Sequence, residues 1–178
     1  MAQLAIAGVP HMAQKLLTAW EANRTANWEW FESGLYYDNS RLPQALFQTG
    51  FATAGRTTLD WLIAKLWDQQ KGCFNFVGQA GWWPKGESKT VFDQQPVEAG
   101  SMVEACVAAY SATSNKKYLD WANAAYDWYH GRNIIGETLF DIRTGGIRDG
   151  FGPQGCSLNE GAEAVLSFVL ASISLKRE

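Results

Sequence analysis

Hydrophobic positions recur at helical spacing in six stretches, separated by polar or glycine-rich runs. Leu16, Leu17, Trp20, Trp28 and Phe31 mark the first, over residues 11–33, and Gly34 closes it. The second starts near Ser40, a good N-cap, and carries Leu42, Ala45, Leu46, Phe47 and Phe51 to about residue 54, with Gly55 ending it. Leu59, Leu62, Ile63 and Leu66 give the third a buried stripe over 57–70, with Asp60, Lys65 and Asp68 outside. The fourth, 96–112, begins at Pro96, which suits a first-turn position, and its Ala, Gly and Ser content suits burial on most sides. The fifth runs over 116–130 to Gly131, and its Leu119-Asp120-Trp121 echoes Leu59-Asp60-Trp61. The sixth begins at Ser157, where Ser-Leu-Asn-Glu matches a capping box, and ends near Leu175.

Two long segments break this periodicity. Residues 71–92 contain a strand-like piece, Phe74-Asn75-Phe76-Val77-Gly78, and then Gly81-Trp82-Trp83-Pro84. Residues 132–155 carry glycine pairs between alternating apolar residues, the signature of a small hairpin. Loops of this length inside one domain usually serve function.

Three segments superpose: Arg41-Leu42-Pro43-Gln44-Ala45, Gln95-Pro96-Val97-Glu98-Ala99 and Glu160-Gly161-Ala162-Glu163-Ala164. Each follows a polar run and opens a small-residue helix, one start roughly every 55 to 65 residues. Stacked helical hairpins follow from such a repeat, with helices two, four and six inside, the others outside, and the polar helix starts gathered at one rim. The expected fold is all-α, three consecutive αα-hairpins forming one domain over 1–178, with short β-hairpins allowed only in the long loops.

Composition narrows the function. The 178 residues are 47% hydrophobic and 19% charged, enough for one well-buried domain. A net charge of −3 with scattered Lys and Arg argues against nucleic acid. Cys73, Cys106 and Cys156 form no CxxC pair, a poor disulfide framework that reads as cytoplasmic. The short apolar run Leu4 to Val9 is neither a signal peptide nor a membrane span. Only two histidines are present, His11 and His130, so neither a His-rich metal site nor any cofactor is expected. Nine Trp, nine Phe and six Tyr exceed what helix packing needs, and those in loops suit a sugar face.

The strings Tyr37-Asp38-Asn39-Ser40-Arg41-Leu42-Pro43, Phe92-Asp93-Gln94-Gln95-Pro96-Val97-Glu98-Ala99, Thr144-Gly145-Gly146 through Asp149-Gly150, and Asn159-Glu160-Gly161-Ala162-Glu163 carry a resemblance. From about Trp28 onward the chain resembles the six-hairpin glycosidase superfamily, the (α/α) toroids, and within it the second half of a bacterial toroid domain found with glycosyltransferases. The resemblance implies a carbohydrate ligand. It also implies a partner, because a full toroid has six hairpins and three are legible here; a second copy or another chain would supply the rest.

Glycosidic cleavage needs two carboxyl groups about 5 to 5.5 Å apart for retention or about 6.5 to 9.5 Å for inversion. Asp93 and Glu160 are the candidate catalytic pair. Asp93 reads equally well as a helix cap, and Glu160 as the capping-box partner of Ser157. Glu98 and Glu163 occupy the same repeat slot and read as buried carboxylates holding loop backbone. Asp38, Asn39, Arg41, Gln94, Gln95, Asp149 and Asn159 are candidate sugar-binding groups, and Trp82 or Trp83 a stacking surface. Three function classes stay open: a glycoside hydrolase-like enzyme, a non-catalytic sugar-recognition or scaffold module beside a glycosyltransferase, and an inactive half-domain that needs a partner.

Overall fold

Small residues let the helices of this chain approach closely, and the computed structural model, which describes residues 1–9 and 11–176, shows where they do. The described helices are α1 (Ala2–Ile6), α2 (Met12–Asn23), α3 (Arg41–Gln48), α4 (Ala52–Leu66), α5 (Pro96–Thr113), α6 (Lys117–Asp127) and α7 (Ala162–Lys176). α5 packs between α3 and α7, while α4 lies against α3 and α5, and α6 against α5 and α7. Nearly every position of α5 from Pro96 to Cys106 is buried. Gly100 marks the tightest approach: a Cβ there would sit 2.2 Å from Ser167 Oγ and 2.9 Å from the Tyr129 hydroxyl. Gly100→Ala is therefore expected to cost about 1–3 kcal/mol by overpacking, read as a lower midpoint in chemical denaturation.

The chain is not all-α. Among the described residues, eight two-residue strands form four antiparallel sheets: β1 (Gly34–Leu35) with β4 (Trp83–Pro84), β2 (Trp67–Asp68) with β3 (Cys73–Phe74), β5 (Phe140–Asp141) with β6 (Gly146–Ile147), and β7 (Phe151–Gly152) with β8 (Gly155–Cys156). The fold is mixed, helices joined by small sheets. The long connections bury Leu35, Cys73, Phe74, Ile147 and Phe151. Backbone taken out of water with those side chains must pair its N–H and C=O groups, and short ladders do this.

Helix ends differ from the expected ones for the same reason. The first amphipathic run stops at Asn23, whose side-chain amide donates to the Ala19 and Phe31 carbonyls at 2.9 and 2.8 Å. Trp28, Trp30 and Phe31 are buried from an irregular segment rather than a helix. The second run divides at Gly50 (φ +87°), so Gly55 lies inside α4, facing the Phe47 ring. α4 ends at Leu66 because Trp67 and Asp68 turn into the β2–β3 hairpin. α7 begins at Ala162, not Ser157: residues 157–161 stay non-helical, and Ser157 Oγ accepts the Asn159 N–H at 3.1 Å.

Candidate functional site: a polar rim over three helix starts

The starts of α3, α5 and α7 meet, and the sequence-derived site residues other than Glu160, Trp82 and Trp83 fall there into two groups. The first lies between α3 and α5. Asp38 takes a left-handed conformation (φ 53°), and its N–H donates to Glu98 Oε1 at 2.6 Å. Asn39 adds its backbone N–H at 3.4 Å and its side-chain amide at 3.3 Å to Glu98 Oε2. Arg41 grips Glu104 with both terminal nitrogens, at 2.7 and 2.9 Å, and reaches Asp38 through Nε at 3.2 Å. The Tyr37 hydroxyl donates to Glu163 at 2.8 Å, tying the approach to α3 to the first turn of α7.

Burial dominates the electrostatics of this group. It pushes the Glu98 carboxyl up to about 8, helped by the neighbouring Asp38 charge and opposed by the Asn39 and Asp38 hydrogen bonds. It raises Asp38 as well, against the Arg41 charge and the Ser101 hydroxyl. Asp38 Oδ1 is nevertheless buried without a hydrogen bond of acceptable geometry. Asn39 and Arg41, expected to bind a ligand, are spent on protein partners. Asn39 also exchanges bonds with Tyr36, its amide donating to the Tyr36 carbonyl and its carbonyl accepting the Tyr36 N–H.

The second group is a cleft of 560 Å³ between the approaches to α5 and α7, lined by Gln79, Asp93, Gln94, Gln95, Asp149 and residues 150–157. An antiparallel bridge between Gln94 and Phe151 holds its two sides together, with both N–H···O bonds at 3.1 Å. Gln94 itself is structural. Its amide donates to Asn75 Oδ1 and the Val91 carbonyl, both at 2.8 Å, and accepts the Phe76 N–H at 3.1 Å. Asp149 is fixed by the Asn159 side-chain amide and the Gly161 N–H, so Asn159 acts as a strut. Asp93 is exposed, with Oδ1 lying over Gly152, and its carboxylate makes no hydrogen bond or ion pair to the described residues. Phe92 beside it does not shield the Asp93 carboxylate from water.

Glu160 does not line this cleft. It accepts the Thr144 hydroxyl at 2.8 Å and packs on Gly146, above the β5–β6 turn, and the expected capping box with Ser157 does not form. Trp83 meets Trp28 edge-on and bonds the Glu87 carbonyl at 2.8 Å, while Trp82 packs against Tyr36, so both tryptophans belong to the β1–β4 junction. Two amide side chains of the cleft, Gln79 and Gln154, had no sequence expectation attached. Both are glutamines set among the glycines of the long loops, which is the only signal that singles them out. Cys156 also lines the cleft, but burial first and Glu137 second push its thiol up to about 11, too high for a nucleophile at neutral pH.

Among the described residues no cluster of His, Cys, Asp and Glu could hold a metal ion, and no helix is long and apolar enough to cross a membrane. Comparison with protein-family models gives no match, and comparison with curated proteins gives none either.

Proposed function

We propose that this chain is a carbohydrate-active domain of glycoside hydrolase type, binding a glycan in the rim cleft with Asp93 and Asp149 facing it. The observation that carries the reading is unspent hydrogen-bonding capacity. The Asp93 carboxylate and the side-chain amides of Gln79, Gln95 and Gln154 bond to no described residue, and they surround a cleft with Phe151 and Pro153 in its wall. Sugar hydroxyls need this mixture of carboxylate, amide and flat apolar surface, and the volume falls within the roughly 300–1,000 Å³ of ligand pockets. Asp149, held by two donors, is the fixed carboxylate, and Asp93 is the free one. A bound glycan covers Asp93 and removes it from water, the condition a carboxyl acid requires. The partners on this reading are a carbohydrate in the cleft and a second polypeptide surface elsewhere on the domain.

A glycan array followed by reducing-end release on the ligands retained tests this. Asp93→Asn is expected to abolish turnover and leave the melting temperature nearly unchanged, because the side chain has no protein partner to lose. Binding that survives without any turnover assigns the cleft to recognition alone, the second function class. No retained glycan, or an Asp93→Asn variant that loses several degrees, removes the proposal.

A further inference from the structure

α7 carries an apolar stripe that the described residues leave bare. Leu166, Val169, Leu170 and Ile173 are 59%, 42%, 47% and 42% exposed, while Ala164, Ser167 and Ala171 on the opposite face are buried. The helix is apolar around most of its circumference, as α5 is, and helices of that composition belong in a core. α5 meets that requirement between α3, α6 and α7. α7 meets it on one side only.

We propose that this stripe is an interface with a second copy of the chain, the two α7 helices packing antiparallel about a two-fold axis between Val169 and Leu170. The spacing of the exposed positions decides the occupant. Glu163, Leu166, Val169, Leu170, Ile173 and Lys176 read the same in both directions, three, three, one, three and three apart. A two-fold contact must be self-complementary in this way. Antiparallel pairing sets Leu166 of each copy on Ile173 of the other, Val169 on Leu170, and Glu163 beside Lys176 at both ends. Glu163 spends Oε2 on Tyr37 and keeps Oε1 for this contact. The result is an apolar centre with opposite charges at its rim, the composition of a specific interface. The proposal is independent of the cleft and of any activity there.

Sedimentation velocity from low to high micromolar concentration tests it. The chain is expected to shift from monomer to dimer, and Leu170→Glu to stay monomeric at every concentration with unchanged far-ultraviolet circular dichroism. Lys176→Glu, which places like charges at both ends, is expected to weaken the dimer roughly tenfold. Glu163→Lys combined with Lys176→Glu restores it only if these two residues face one another. A wild-type chain that remains monomeric overturns the proposal, as does a dimer that survives Leu170→Glu or a charge swap without rescue. A monomer that cosediments with anionic lipid vesicles through Leu170 gives the stripe to a membrane surface instead, and also overturns it.

Discussion

Alanine at Arg41 is expected to cost the fold about 3 kcal/mol, the usual scale for breaking a buried ion pair from one side. Arg41 is 19% exposed and its partners Glu104 and Asp38 are 17% and 10% exposed. Its removal leaves those two carboxylates, with Glu98 beside them, in a poorly solvated space without their cation. The bidentate grip on Glu104 and the third bond to Asp38 use the planar fork of the guanidinium, so Arg41→Lys is expected to recover only part of the loss. Burial raises Asp38 even with Arg41 present, so the pair offsets its desolvation incompletely. Glu104→Gln added to Arg41→Ala is therefore expected to restore stability rather than lower it further, because it removes an orphaned charge. Chemical denaturation of the two single variants and the double variant measures this. Losses that simply add, or an Arg41→Ala effect within experimental error, mean that the cluster is already hydrated and that this account of its energetics is wrong.

Local composition made some of this structure legible in the sequence. Pro96 followed by small residues fixes the start and the burial of α5, and the repeat of polar run and helix start brings α3, α5 and α7 to one rim. The glycine pairs near residue 145 mark the β5–β6 turn. What failed was the use of helical period as proof of helix. Trp28 and Phe31 are spaced like a helical face, yet they are buried from irregular chain, where Trp28 meets the Trp61 ring at 5.1 Å and Phe31 meets the Trp30 ring at 5.1 Å. The β1–β4 and β2–β3 pairings escaped because two-residue strands carry too little alternation to read.

Among the residues that line the cleft, Asp93 and Gln95 were singled out by their position before a helix start and Asp149 by its place in a glycine-rich loop. The same position made Asn39, Arg41 and Gln94 look like ligand donors, although each is consumed inside the protein. Residue type and spacing specify which groups reach a rim. They do not specify which of those groups still have hydrogen bonds to give, since that depends on contacts as distant in sequence as Arg41 and Glu104. Gln79 and Gln154 were missed for the converse reason: exposed glutamines in loops have no local pattern.

Stability is expected to fall as the pH rises from about 4.5 to about 8, because Glu98 is held protonated in the folded chain. The sign follows from proton counting. In the unfolded chain Glu98 gives up its proton near 4.5; in the folded chain burial holds that proton until about 8. Between these values the native state carries the extra proton, so each step upward in pH favours unfolding, and the loss levels off above pH 8. Asp38, also raised, adds to the same slope, whereas Asp141, lowered to about 2 first by its Arg143 hydrogen bonds, acts only at acid pH and in the opposite direction. A shift of this size corresponds to a few kcal/mol. Asp38, whose own Oδ1 is buried, supplies the neighbouring charge that helps burial hold this proton. Glu98→Gln keeps an acceptor for the Asp38 N–H and replaces the acid proton with an amide donor at every pH. The variant is expected to lose most of the difference in melting temperature between pH 5 and pH 8, keeping only the Asp38 share, and to melt above the wild-type protein at pH 8. A wild-type melting temperature that is level across this range, or a Glu98→Gln variant that keeps the wild-type slope, moves the proton to another group and leaves Glu98 an ordinary ionised anchor for the loop before α3.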